Sequence, residues 1–361
     1  MFLQAETSFG LNVLNSLRTN ESFVFSPLSI ALALSLVHSG ARGASKDQIG
    51  NTLLSGASDE QFVNHFQFIS DALRQGTNGI KVDVANKVYL QKGVTPSPSY
   101  LATVLKNYKA SAESLDLTTP AAVQTINKFV KDATEGKIGD LVTQDSIKDA
   151  VALLVNALYF KGDWENEFEG MSTHDKEFTQ KAGVVKKIPF MSDWMSDRGY
   201  ASDDLFQVLV LNYKDPAYRF AIFLPKIKNS LGDAVKKLDA ARLQKLLVAS
   251  KSTFMNTFIP KFTVQKELKL KDVLSKLGIT QIFSDAADLS GIAPNIKISD
   301  VAHKALIEVN ELGTVAAAAT VAKAIPMSGR MGEPITFNAD HPFLFALVRE
   351  NHPLFLGVFH G

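Results

Sequence analysis

Residues 307–326 read Ile-Glu-Val-Asn-Glu-Leu-Gly-Thr-Val-Ala-Ala-Ala-Ala-Thr-Val-Ala-Lys-Ala-Ile-Pro, and they fall into two halves. Ile307 and Val309 alternate with polar neighbours at the two-residue period of a strand. From Gly313 onward the side chains are small, and no charge appears before Lys323. An alanine run ordinarily means helix. This one lies between β-branched Thr314, Val315, Thr320 and Val321, ends at Pro326 and offers no apolar stripe for a helix to bury. A segment of small residues changes conformation at little cost, because nothing large has to be unpacked. Placed directly after a strand, it can prolong that strand if a gap opens. Thr314, Ala316, Ala318 and Thr320 would then face one side and Val315, Ala317 and Ala319 the other. The small side chains would fit beneath a sheet that is already packed.

The rest of the chain has the composition of a globular protein. Hydrophobic residues make up 46% and charged residues 21% of 361 positions, enough for a sizeable core. A net charge of +1 gives no electrostatic case for nucleic acid or membrane partners. Cysteine is absent, which excludes disulfides and thiol chemistry and fits a reducing compartment. Seven histidines (38, 65, 174, 303, 341, 352, 360) lack zinc-ligand spacing, so neither metal nor cofactor is expected. No nucleophile elbow, phosphate loop or dinucleotide fingerprint occurs, and the reading is of a protein that is not an enzyme. The first residues carry no basic region followed by an apolar run, so no signal peptide is read and a cytoplasmic location is expected, or a secreted one if Met1 replaces a removed leader. The sequon Asn20-Glu21-Ser22 is read as chance in an intracellular protein.

Periodicity predicts a mixed α+β chain with no linker that splits it, hence one domain over 1–361. An amphipathic helix is expected from about Thr7, with Phe9, Val13, Leu14 and Leu17 on one face. A short strand at Phe23 leads to a buried helix opened by Ser26 and Pro27. Ser45 and Gln48 have the spacing of a capping box, and Ser58–Arg74 reads as a further amphipathic helix. Strands are expected at Ile80–Gln91, at 115–117, and at Ala150–Phe160, whose unbroken apolar run implies burial on both faces. Later expectations are a helix over Leu231–Val248, a strand over Asn256–Val264, a helix over Leu268–Leu277 and strands over Phe337–Val348 and Leu354–Phe359. Asn156 within the apolar strand and Ser26 and Ser29 at the buried helix start are polar groups that need partners inside.

Several segments together resemble the serpins, over nearly the whole chain. They are the hinge-like stretch itself, Phe-Ser-Pro-Leu-Ser-Ile (25–30), Val-Asn-Ala-Leu-Tyr-Phe-Lys-Gly-Asp-Trp (155–164), Leu-Gly-Ile-Thr-Gln-Ile-Phe-Ser-Asp-Ala-Ala-Asp-Leu-Ser-Gly (277–291), Ala-His-Lys-Ala (302–305) and Phe-Asn-Ala-Asp-His-Pro-Phe-Leu-Phe (337–345). The resemblance implies the α+β serpin fold: three β-sheets, about eight or nine helices and an exposed reactive-centre loop, here 311–334 with its hinge. It implies that Ser26, Ser29, Asn156 and His303 form the hydrogen-bonded shutter where two strands of the main sheet part. Trp164 would mark the breach at the top of that opening, with Lys261 facing Glu311 as an ion pair.

In inhibitory serpins, which this chain resembles in their intracellular form, seventeen residues run from a hinge glutamate to the residue whose carbonyl the protease attacks. Counted from Glu311, the bait bond is Met327–Ser328. The hinge would comprise Glu311, Gly313, Thr314, Ala316, Ala317, Ala318, Ala319 and Thr320. The resemblance implies a monomer that is cut as a suicide substrate and traps the protease as a covalent acyl complex by strand insertion. Apolar, flexible Met327 suits the pocket of a chymotrypsin-like or elastase-like target, and a papain-like cysteine protease is a further possibility. Arg330 offers a trypsin-like bond three residues on. The competing reading is a non-inhibitory serpin acting as chaperone, carrier or storage protein. Small residues at Thr314, Ala316, Ala318 and Thr320 weigh against it, while Leu312 departs from the polar residue the family often carries beside the hinge.

Overall fold

The computed structural model describes residues 2–17, 20–75, 78–314 and 333–361. Helices dominate the first half: α1 (Phe2–Ser16), α2 (Pro27–Gly40), α3 (Gly43–Leu54), α4 (Asp59–Arg74), α5 (Pro98–Tyr108), α6 (Pro120–Ala133) and α7 (Gln144–Ile147). Between them run strands β1 (Phe23–Phe25), β2 (Ile80–Gln91), β3 (Ser111–Leu115) and, after α7, β4 (Ala152–Asp163). The second half is mostly strand. It carries β5 (His174–Lys181), β6 (Val184–Ser202), β7 (Phe206–Asn212), β8 (Tyr218–Pro225), helices α8 (Leu231–Lys236) and α9 (Ala240–Ala249), then β9 (Lys251–Pro260) and β10 (Phe262–Lys269). Helix α10 (Lys271–Lys276) precedes β11 (Asp300–Val309), β12 (Gly313–Thr314), β13 (Ile335–Asn338), β14 (Phe343–Arg349) and β15 (His352–Phe359).

Six strands form the sheet that carries the site, in the order β10-β11-β12-β4-β2-β3. Its central strand β4 is buried from Ala152 to Phe160, as its unbroken apolar run predicted. Leu154, Leu158 and Phe160 join the large core toward α2, while Leu153, Val155 and Ala157 join a smaller core with Ile126 and Val130 of α6. The remaining nine strands form one continuous network, β1-β15-β14-β8-β7-β6-β9-β13, with β5 on β6. The expected second and third sheets run into each other through β6. A bulge between Asp193 and Ser196 bends this strand, so its first half pairs with β5 while its last residues turn to β7.

Ten α-helices are described, against the eight or nine expected. One reason is that the helix read over Leu231–Val248 is two: α8 ends at Lys236, and Asp239 restarts the chain by accepting the backbone N–H of Arg242 at 2.7 Å. Helix α1 begins five residues before Thr7, whose hydroxyl is taken up by the Leu3 carbonyl (2.7 Å) and so does not cap, and Leu17 lies beyond its end. Ser45 does not cap α3 either. It sits in the third position of the helix, where its hydroxyl accepts the Asp288 N–H at 3.0 Å, and Gln48 serves Thr280 and Gln281. Ser58 does form a capping box, with Gln61.

The strand expected at 115–117 ends at Leu115. The helix expected to start at Leu268 starts at Lys271, because Leu268 still pairs with His303. The strand read over Asn256–Val264 is two strands in two sheets, parting at Lys261. The strand read from Phe337 is likewise β13 and β14, separated by Ala339–Pro342. Among the described residues no helix is long and apolar enough to cross a membrane.

Candidate functional site

Strands β4 and β11 are parallel and pair directly from Leu153 with Asp300 to Leu158 with Ala305. Beyond Leu158 they part. At the top of the opening, β12 lies between them: Gly313 is opposite Asp163, and Thr314 is opposite both Gly162 and Val309, antiparallel to each. Two residues therefore already occupy a strand position within the sheet. Gly313 is there because nothing larger fits, since a Cβ at this position would lie 2.0 Å from the Gly162 carbonyl oxygen. Thr314 is fully buried, and its hydroxyl meets the Tyr213 hydroxyl at 2.6 Å. Burial pushes the Tyr213 pKa up, so the pair meets as two neutral hydroxyls.

Trp164 forms the wall of this opening. Its indole Nε1–H donates to the Asn310 carbonyl at 2.9 Å, its backbone N–H to that of Leu312 at 2.9 Å, and its ring stacks on Tyr213 at 4.5 Å. The next turn adds the Phe168 N–H, which donates to the Glu311 carbonyl at 2.8 Å. Lys261, where the chain crosses between sheets, reaches Glu311 at 3.0 Å. Burial alone would raise the Glu311 pKa, but a backbone hydrogen bond, Lys261 and the Thr173 hydroxyl (2.8 Å) outweigh it and hold the carboxyl below its ordinary value. The Lys261 side chain is about half exposed, so the ion pair contributes little. We expect Lys261→Met to change the free energy of unfolding in urea by under about 1 kcal/mol. Glu311→Ala should cost more, because it also leaves Thr173 unpartnered.

The lower cluster lies further down β4, at Asn156, below Gly162 where Thr314 pairs. Ser26 caps α2 by accepting the Ser29 N–H at 3.1 Å, and its own backbone N–H donates to His303 Nε2 at 3.1 Å. Because Nε2 accepts, the imidazole proton is on Nδ1, where it is donated to Asn156 Oδ1. The Asn156 amide in turn donates to the Ser29 carbonyl (3.1 Å), the Ser29 hydroxyl and Asn86 Oδ1. His303 and Asn156 face each other across the β4–β11 pairing and are completely buried. Burial lowers the His303 pKa to about 3, so the ring is neutral.

All four shutter residues named from sequence are thus in one network, and Trp164, Lys261, Glu311, Gly313 and Thr314 are together at the other end of the same opening. Ala316, Ala317, Ala318, Ala319 and Thr320, with Met327, Ser328 and Arg330, lie outside the described residues. Sequence reasoning missed Asn86, Tyr213 and Thr173. Asn86 was visible as a polar residue in the alternation of β2, but its pairing with Asn156 depends on register. Nothing local distinguishes Tyr213 or Thr173.

Residues 4–360 match the family model for the serpins, described as serine protease inhibitors. Serpin-Z2A of Triticum aestivum is 34% identical, over 96% of this chain and 92% of its own length. The thermophilic serpin Tengpin, solved in its native state, superposes with a TM-score of 0.92 at 28% identity, covering 100% of this chain and 94% of its own. Thyroxine-binding globulin, solved in complex with thyroxine, is also similar in structure, with a TM-score of 0.89, 25% identity and coverage of 99% and 98%.

Proposed function

The chain belongs to the serpin family, and from that premise we propose that it is an inhibitory member, a suicide substrate for a chymotrypsin-like or elastase-like protease cut at Met327–Ser328. The observation that carries this reading is Thr314, already seated between β4 and β11 as the first rung of an antiparallel strand. The residues that follow it are small. Each step along the segment moves one residue back along both neighbours, so the register of Thr314 with Gly162 and Val309 can be continued. It would bring Ala316 opposite Phe160, Ala318 opposite Leu158 and Ala305, and Thr320 between Asn156 and His303. Insertion would then proceed by unzipping the β4–β11 pairing from Leu158 downward. The shutter would be the first polar obstacle, met by a residue that carries a hydroxyl of its own.

The protease supplies the chemistry. Its nucleophile attacks the Met327 carbonyl, the bond to Ser328 breaks with release of the new amino terminus, and an acyl-enzyme remains. The freed arm then enters the sheet and carries the attached protease with it. Insertion of a serpin loop into its own sheet is an established instance of strand addition and release of stored strain. About a dozen new backbone hydrogen bonds at roughly 0.5–1.5 kcal/mol each give on the order of 10 kcal/mol, comparable to the whole stability of an ordinary domain. That is enough to drive the rearrangement if the hinge enters before water deacylates the enzyme.

A carrier role, suggested by the likeness to thyroxine-binding globulin, is the second reading. Mixing the protein with chymotrypsin at near-equimolar ratio separates the two. We expect a complex that survives a denaturing gel and a released peptide beginning at Ser328. Cleavage at that bond with no complex would favour the carrier, and cleavage only after Arg330 would overturn the bait assignment.

A further inference from the structure

The bulge in β6 opens on a pair of exposed apolar side chains. Trp194 and Met195 are 55% and 58% accessible, and both lie opposite the single residue Asn256 of β9, between the pairs Asp193–Thr257 and Ser196–Met255. Met195 adopts φ +51°, a left-handed conformation that is costly for a residue with a side chain. The strained turn is held rigidly. The Met195 N–H donates to Asn256 Oδ1 at 3.0 Å, and Asp193 is fixed by the Ser196 hydroxyl (2.6 Å) and by Nε of the buried Arg198 (2.8 Å). Trp194 stands edge-on against Phe258, ring centroids 4.8 Å apart. Bulges re-aim side chains, and strain kept by such over-determined support points toward function.

The position of this patch identifies what would cover it. Across β9, Asn256 pairs with Thr336 and Phe258 with Asn338, so the patch is two strands, about 10 Å, from the strand that leads out of segment 315–332. On its other flank the same Arg198 donates to the Asn166 carbonyl at 2.8 Å and stacks on Phe168, in the turn that holds the Glu311 backbone. Rigid support therefore links the bulge to both ends of the reactive segment. Met327 is nine residues from Thr336, a reach of about 30 Å at most. A protease domain of roughly 230 residues has a radius of gyration near 17 Å. A protease seated on Met327 thus has the patch within range of its own surface.

We propose that Trp194 and Met195 form a second docking site for the target protease, one that takes an apolar patch beside the substrate cleft. This rests on the inhibitory reading for its partner. An exposed, rigidly held Trp is the side chain most often found to anchor such contacts.

The test is the second-order rate constant for reaction of the bait bond, measured with whichever of chymotrypsin, elastase and a papain-like protease cuts the wild-type chain fastest. The variants are Trp194→Ala and Met195→Gly, singly and together. Glycine relieves the positive φ, so Met195→Gly should melt no lower than wild type. The double variant is expected to react about 10- to 30-fold more slowly, as for loss of a binding anchor. The cleaved bond, and the division between complex and cut chain, should not change. A synthetic peptide spanning residues 320–334 sets the rate of the bait alone and should be cut more slowly than the wild-type protein. A double variant that keeps the wild-type rate would overturn the proposal. If the wild type is cut without forming a complex, the inhibitory reading fails, yet the rate of cutting still reports whether the bulge contributes to docking.

Discussion

Thr314→Arg is expected to turn the proposed inhibitor into a plain substrate. Position 314 is fully buried between β4 and β11, and the threonine hydroxyl is engaged by Tyr213 at 2.6 Å. Among the described residues the side-chain partner of Thr314 is that Tyr213 hydroxyl, which cannot neutralise a charge, so a guanidinium would be buried without a counter-ion, at a cost of several kcal/mol. The strand would be expelled at its first rung. Expulsion leaves the bait bond exposed, so the protease still forms its acyl-enzyme and now has time to hydrolyse it. The expected gel shows cleavage at Met327–Ser328 at the wild-type rate, with the stable complex gone. Thr314→Ser, which keeps the hydroxyl and loses one methyl, should retain most inhibition. A complex that persists undiminished in Thr314→Arg would mean that strand insertion is not how this protein acts.

That Thr314 could enter the sheet is legible in the amino-acid sequence, for a physical reason, whereas its already being seated there with Gly313 is not. If the segment entered as a strand, alternation would set the side to which each residue of 314–320 points, and only a small inward set is compatible with entering a packed sheet. The buried helix after Ser26 and the two-faced burial of Ala152–Phe160 are equally plain, because apolar periodicity reports local burial. Errors arise where a boundary depends on a distant partner. Ser45 and Gln48 have capping-box spacing, yet both side chains are drawn to the 280–288 segment. The β9–β10 and β13–β14 runs read as single strands because hydrophobicity does not mark the point at which a chain passes from one sheet to another. Tyr213, which holds the hinge, and Asn86, which completes the lower cluster, contribute through register alone. The family resemblance could place His303 beside Asn156, but not the tautomer. That follows from the Ser26 N–H donated to Nε2.

That tautomer sets a pH dependence. Nε2 of His303 accepts a backbone N–H while Nδ1 donates to Asn156, so a second proton would have to sit on Nε2, against the Ser26 N–H. Complete burial lowers the folded-state pKa to about 3, against 6.5 for an exposed imidazole. The unfolded chain binds the proton more readily, so the contribution of His303 to stability is complete above the unfolded pKa. It is lost progressively as pH falls toward the folded pKa. Between pH 7 and about pH 5 the loss amounts to about 2 kcal/mol. Buried His38, lowered to about 4, adds a loss of the same sign, whereas the Glu6 carboxyl, held below its ordinary 4.5, comes into play only at still lower pH. His303→Gln removes one of these groups and keeps a side chain able to donate to Asn156. It should be less stable than wild type at neutral pH, and its first urea transition should lose about 2 kcal/mol less on acidification to about pH 5. A variant whose loss on acidification matched wild type would place the acid sensitivity elsewhere. The expected result would mean that acid weakens the His303–Asn156 bond joining β4 to β11, the bond that the proposed insertion would have to open.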